Sequence, residues 1–297
     1  MRRYILGIDV GGTKIQAGLV DLPDKILKNK QFLLNGQTKK TALDSIMKSA
    51  EYFRPHKIKA IGLGITGLVN PKTGMVIQSP NLPASWHKVP LKKIMERKFK
   101  VPVTIDNDVH CIALAEALVG LGKNCSVVFC LTLGTGIGAG LVINKKLYHG
   151  YQNAIEFGHT IIAEKSPLCS CGRYNHLEAL VSGPAMTKLY RNITGQTKDP
   201  FQIEKEAKQN KKPAKRMITK MSQSLAVGLI NAIHSYNPEI IILGGGLTRS
   251  KLLVQPAIRE VKKQLLYPEL KKTKIATSRL GYKAGVIGAA LITKANK

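Results

Sequence analysis

Acidic residues are scarce in this chain, with 18 Asp and Glu against 46 Lys and Arg, and aromatic residues make up only 5% of its 297 positions. No apolar run is long enough to span a bilayer, so no membrane partner is expected. Residues 1–8 pair a basic start with a short apolar run. Asp9 interrupts that run and no small-residue cleavage site follows, so a secretion signal is not expected either. The five cysteines are odd in number. Cys169 and Cys171 stand one residue apart, too close for a comfortable mutual disulfide, and Cys111, Cys125 and Cys130 sit in apolar surroundings and read as buried thiols. This pattern excludes a disulfide framework and fits a reducing, cytoplasmic compartment, with room for a metal.

Against these shortages stands a hydrophobic fraction of 44%, a globular composition long enough for one large or two smaller domains. The net charge is +28. Such an excess fits either a polyanion partner or a solvated basic surface. The lysines are scattered, and the densest stretch, 205–216, carries no aromatic residue on which a base could stack. A solvated surface is therefore the preferred reading, with no specific nucleic-acid partner.

An internal repeat organises the chain. Residues 12–21 read GTKIQAGLVD and residues 134–143 read GTGIGAGLVI. Each copy follows an apolar segment, 4–10 or 127–133, and each runs into another, as in a duplicated α/β unit. Elsewhere strands are expected over 60–65, 101–105 and 240–243. Helices are expected over 109–119, 217–236 and 284–295, with Asn107 or Asp108 capping the first and Pro238 stopping the second. Strands alternating with helices imply an α/β fold with mixed sheets. The smaller domain is expected to hold residues 1–120 with 283–297, and the larger one 121–282.

Glycine-rich loops bind phosphate because bare backbone N–H groups can approach the oxygens. The candidates are Gly11, Gly12, Thr13 and Lys14, then Gly134, Thr135 and Gly136, then Gly245 and Gly246 after the strand 240–243. A dinucleotide fingerprint needs a helix after its glycines. Here a strand follows the first two loops, so both read as β-hairpin turns that could hold a nucleotide's phosphates between the two halves. Asp9 precedes the first loop and suits either Mg²⁺ binding through water or a turn cap.

These segments together resemble the ROK family of sugar kinases and repressors, in the actin-like ATPase superfamily. The resemblance covers nearly the whole chain. It runs through Asp9–Lys14, Ile105–Asp108, Gly134–Gly138, Glu156–His159, Cys169–Gly172 with Leu177–Glu178, and Gly244–Leu247. It implies two actin-like (ribonuclease H-like) α/β domains flanking an interdomain cleft, ATP and Mg²⁺ as cofactors, a hexose substrate and a homodimer. A sugar hydroxyl needs a carboxylate to take its proton as it attacks phosphorus. Asp108, at the carboxyl end of a strand, suits that role and is the family's base by resemblance. It also suits a helix cap, and Asp106 is expected to point the other way. The resemblance assigns sugar contacts to Asn107, Glu156, His159 and Glu178, and adds Gly67 and Asn81, the latter equally readable as a turn residue between prolines.

The family's zinc motif has a third cysteine five residues after the second, where this chain has His176, and Asn175 stands for the usual glycine. With His159, Cys169 and Cys171 the set becomes Cys₂His₂, a closed structural zinc site if zinc is retained. The leading expectation is an ATP-dependent glucokinase-like enzyme acting at O6. A sugar-responsive regulator is the alternative. It is disfavoured because the first phosphate loop begins at Asp9, without room for a preceding DNA-binding module. Polyphosphate is the alternative donor.

Overall fold

A largely buried apolar strand starts the fold, and the chain then follows one order throughout. It runs β1 (Tyr4–Val10), β2 (Lys14–Asp21), β3 (Lys25–Leu33), α1 (Lys39–Glu51), β4 (Ile58–Ile65), β5 (Leu68–Asn70), β6 (Met75–Gln78), α2 (Leu91–Phe99), β7 (Val103–Asn107) and α3 (Asp108–Leu118). It continues with β8 (Val127–Leu133), β9 (Ile137–Ile143), β10 (Lys146–Leu147), α4 (Glu178–Val181), α5 (Gly183–Thr194), α6 (Pro200–Lys208), α7 (Lys212–Tyr236), β11 (Ile240–Gly244), α8 (Lys251–Gln264), β12 (Lys274–Thr277) and α9 (Lys283–Ala295). This computed structural model describes residues 4–79, 82, 83, 85–151 and 155–295. They form two compact units. Residues 1–126, 140–155 and 279–297 make one, and residues 127–139 and 156–278 the other.

The first sheet has the order β3-β2-β1-β4-β7. β1, β2 and β3 form an antiparallel meander, while β4 and β7 run parallel to β1. The antiparallel half comes from the hairpin after Val10, and the parallel half from helical crossovers. Helix α9 lies on this sheet so closely that backbone meets backbone. A Cβ on Gly7 would stand 2.1 Å from the Val286 carbonyl oxygen, and one on Gly62 would stand 1.6 Å from that of Ala289. The same helix meets α3, where a Cβ on Gly288 would fall 1.8 Å from the Cys111 carbonyl oxygen. The core includes Leu6, Ile8, Phe53, Leu63, Trp86 and Leu91, all within 1% of complete burial.

The second sheet has the order β10-β9-β8-β11-β12, with β11 parallel to both β8 and β12. All five residues of β11 are buried, as expected of a strand covered on both faces. Both sheets are mixed, as the sequence pattern predicts, and both glycine-containing turns join antiparallel strands. The strand expected over 101–105 starts two residues later. Helix α7 starts earlier than expected, at Lys212, with Pro213 in its first turn, and ends on Asn237 in the left-handed conformation. Cys111 and Cys130 are buried as expected. Cys125 is only half-buried, because it closes the turn after α3, where its N–H bonds to Gly122.

Candidate functional site

In the first unit the β1–β2 turn closes through the Gly11 N–H, which donates to the Lys14 carbonyl at 3.0 Å. Gly12 is half-buried, and Thr13 and Lys14 are exposed on that turn. Asp9 lies one residue earlier in the sheet, opposite Gln16. Its carboxylate rests against the first turn of α9, where a Cβ on Gly285 would stand 2.2 Å from Oδ2. Burial and the neighbouring Asp108 charge push the Asp9 pKa up to about 7.

The turn from β7 into α3 carries the next three candidates. Asn107 is the helix cap; its Oδ1 accepts the Val109 and His110 N–H groups at 2.8 and 3.2 Å. Its Nδ2 donates to the Gly67 carbonyl at 3.0 Å. Gly67 has a φ of +103°, and a Cβ there would meet the Gln78 carbonyl oxygen at 2.3 Å, so only glycine can present that carbonyl. Asp108 opens α3, and its Oδ1 accepts the Val109 N–H at 3.0 Å. Asp106 is buried. Its Oδ1 accepts from the Asn107 N–H at 2.7 Å and from His110 Nδ1 at 2.9 Å, and its Oδ2 accepts from His149 Nε2 at 2.7 Å. Burial alone would raise the Asp106 pKa, but hydrogen bonds and charge from the two imidazoles hold it at about 2. Both oxygens of Asp106 are thus engaged by neighbours. Asn81 lies outside the described residues.

In the second unit the β8–β9 turn closes through the Gly134 N–H on the Gly136 carbonyl at 3.0 Å. The Gly183 N–H donates to the Gly134 carbonyl at 2.8 Å and docks the start of α5 onto this turn. Gly134, Thr135 and Gly246 line one cavity of about 970 Å³, together with the start of α5. Gly245 has a φ of +88°, and its missing Cβ lets it lie against β8, 2.3 Å from where a methyl would meet the Leu133 carbonyl oxygen. Gly136, at the end of the same turn, lies close to Glu178: a Cβ there would stand 2.6 Å from Glu178 Oε2. Sequence reasoning missed the rest of the cavity wall, in which Lys188, Arg191 and Arg249 supply cations and Met186, Phe201 and Leu247 supply apolar surface. One signal pointed there. Ser182, Gly183 and Pro184 form a helix start, with Ser182 Oγ accepting the Ala185 N–H at 3.2 Å, and helix starts suit anions.

The remaining candidates cluster around the cysteines. Glu156 precedes a single 3₁₀ turn, Phe157–His159, which brings Glu156 Oε2 to 4.0 Å from His159 Nε2. The other nitrogen of that ring, Nδ1, lies 3.3 Å from His176 Nδ1 and 3.8 Å from Cys169 Sγ, and Cys171 Sγ lies 3.2 Å from His176 Nδ1. A tight loop sets both thiols, its Cys169 N–H donating to the Arg173 carbonyl at 2.8 Å. One potential ligand atom from each of His159, Cys169, Cys171 and His176 lies within 4.8 Å of the others. Two nitrogens and two sulfurs at that spacing suit a tetrahedral ion. Burial and the neighbouring His159 hold the His176 pKa below the ordinary imidazole value. Glu178 ties this loop to the hairpin: Oε2 accepts the Ile137 N–H at 2.9 Å and Oε1 accepts from Ser170 Oγ at 2.7 Å.

No helix among the described residues is long and apolar enough to cross a membrane. Comparison with known proteins adds the lineage. The ROK family profile matches residues 5–296. A glucokinase of Streptomyces coelicolor is 31% identical over 96% of this chain and 96% of its own length. A xylose repressor of Caldicellulosiruptor bescii is 30% identical over 96% of this chain and 76% of its own length. The crystal structure of a ROK family glucokinase from Streptomyces griseus, in complex with glucose and AMPPNP, superposes with a TM-score of 0.84 at 29% identity, covering 97% of this chain and 98% of that one. Two mixed α/β units, glycine turns at the predicted places and a profile spanning almost every residue together make this chain a member of the ROK family, in the actin-like ATPase superfamily.

Proposed function

We propose that the protein is an ATP- and Mg²⁺-dependent hexose kinase of the glucokinase type, acting at O6 of the sugar. One observation carries the nucleotide half of this reading: the cavity of about 970 Å³ in which the Gly134–Thr135 turn, the start of α5 and Gly246 converge. Bare N–H groups and a helix start suit phosphates, the three cations suit their charge, and the apolar wall suits a base. Gly11–Lys14 are further candidate phosphate contacts, and Asp9 would hold Mg²⁺ through water.

Asp108 takes the proton of the sugar hydroxyl as that oxygen bonds to the γ-phosphorus. The bond from phosphorus to the bridging oxygen breaks and ADP leaves. Asn107, Glu156, His159 and Glu178 are the sugar contacts we assign, and Gly67 and Asn81 are added to them. Glu156 supports this reading by its exposure, with 59% of its side chain open to water. The Cys₂His₂ cluster fits zinc by donor type and spacing, and the metal would stiffen the loop that carries His159 and abuts Glu178. A cytoplasmic homodimer is the form we assign to the enzyme.

The test is a coupled ADP-release assay over a panel of hexoses and N-acetylated hexosamines, with polyphosphate as a second donor. The expected result is ATP-dependent turnover of glucose or a close relative. The 30% identity to a repressor supports a second reading, a sugar-responsive regulator. No turnover of any sugar, together with sequence-specific DNA binding relieved by sugar, would favour it.

A further inference from the structure

Asp106, His110 and His149 form a second donor cluster that the kinase reading does not use. They come from three places: the end of β7, the first turn of α3 and the loop after β10. Both imidazoles turn a nitrogen onto one carboxylate, His110 Nδ1 at 2.9 Å from Oδ1 and His149 Nε2 at 2.7 Å from Oδ2. The rings meet edge to face, with centroids 5.3 Å apart. The Asp106 and His110 side chains are each only 3% exposed, and that of His149 is 23% exposed. One ligand atom from each residue lies within 4.8 Å of the others.

We propose that Asp106, His110 and His149 are a site for a divalent first-row transition cation, separate from the cysteine cluster. Two imidazoles and a carboxylate are a common protein donor set for such ions, with positions left over for water. Bonds of about 2.0–2.1 Å would set neighbouring donors about 2.9 Å apart at right angles and about 3.3 Å apart in a tetrahedron. The observed 2.7 and 2.9 Å need an opening of at most about 0.6 Å. The partly exposed His149 ring has the freedom for it. The carboxylate is already aimed, because the Asn107 N–H donates to Oδ1 at 2.7 Å, the kind of outer contact that orients metal ligands. Each imidazole would bind as the neutral ring with its proton on the other nitrogen.

The test loads the metal-free full-length chain with Co²⁺ and follows stoichiometry and visible spectra in the wild type and in Cys171→Ser, His149→Asn and His110→Asn. Wild type should take up two equivalents, only one of which shows thiolate-to-cobalt charge transfer. Cys171→Ser should weaken the thiolate-linked equivalent alone. His149→Asn, whose ring lies partly in solvent, should lose only the other equivalent and should lose with it part of the Co²⁺-dependent rise in melting temperature. His110→Asn should repeat that loss. A thiolate-free equivalent that survives His149→Asn, or its absence from the wild type, would overturn the proposal and leave the cluster a hydrogen-bond network.

Discussion

Asp108 and Asp9 carry the sharpest consequences of single side chains. Replacing Asp108 by Asn keeps the shape of the first turn of α3 and removes the base. The expected outcome is a fall in kcat of roughly 10²–10⁴-fold with sugar and ATP affinity nearly unchanged. Steady-state kinetics with isothermal titration would check it, and a variant keeping half the wild-type rate under chemistry-limited conditions would refute the assignment. Asp9 makes a prediction about stability. Its pKa of about 7 in the folded chain lies above the unfolded value of about 3.9. A raised carboxyl pKa contributes stability that is whole below the unfolded value and is lost as pH climbs through the folded one. The metal-free protein should therefore lose stability from about pH 4 to about pH 7 through this group, by at most ~4 kcal/mol and by less because Asp9 keeps some contact with water. Asp9→Asn should flatten that slope and melt higher than wild type at about pH 8. Parallel melting curves for the two proteins across this range would show that Asp9 is ionised throughout.

At the scale of elements, the two hairpin turns look alike in sequence and differ in what surrounds them. A Cβ at Gly134 or at Gly246 meets nothing within 4 Å, whereas one at Gly136 runs into Glu178. Gly134→Val or Gly246→Val should thus raise the KM for ATP at least tenfold while the sugar KM and the melting temperature barely move, since both residues line the cavity and a Cβ at either meets no protein atom. Gly136→Val should instead destabilise the fold, because it displaces a carboxylate that bonds both the Ile137 N–H and Ser170. Kinetics beside thermal melting separate the two cases, and a Gly134 variant with an altered sugar KM would move the nucleotide elsewhere. The cysteine loop makes a further prediction. Protein purified without chelator or affinity tag should hold a zinc equivalent that Cys169→Ser removes, with a lowered melting temperature. Fully active protein with under about a tenth of an equivalent at that loop would leave the four donors without a metal.

For the whole molecule the governing quantity is the charge of +28. It should draw the protein onto heparin or duplex DNA at low salt without sequence preference, and the affinity should fall steeply as salt rises. Gel retardation over several unrelated duplexes, at about 50 and about 200 mM salt, would check it. Retention that discriminates among sequences and is relieved by a hexose would mean recognition rather than charge.

Sequence alone determined much of this protein: the strand and helix types, both glycine turns with strands after them, and a cap for α3 at Asn107 or Asp108. Each of these rests on residues close along the chain, where side-chain periodicity, φ preferences and capping chemistry act without help from distant partners. Tertiary structure decided the rest. It placed Gly134, Gly246 and the start of α5 around one cavity and set Gly136 against Glu178. It also turned His149 onto Asp106, forty-three positions earlier in the chain. Those pairings depend on which buried surfaces pack together, and packing is settled by the sum of many apolar contacts that no local pattern encodes.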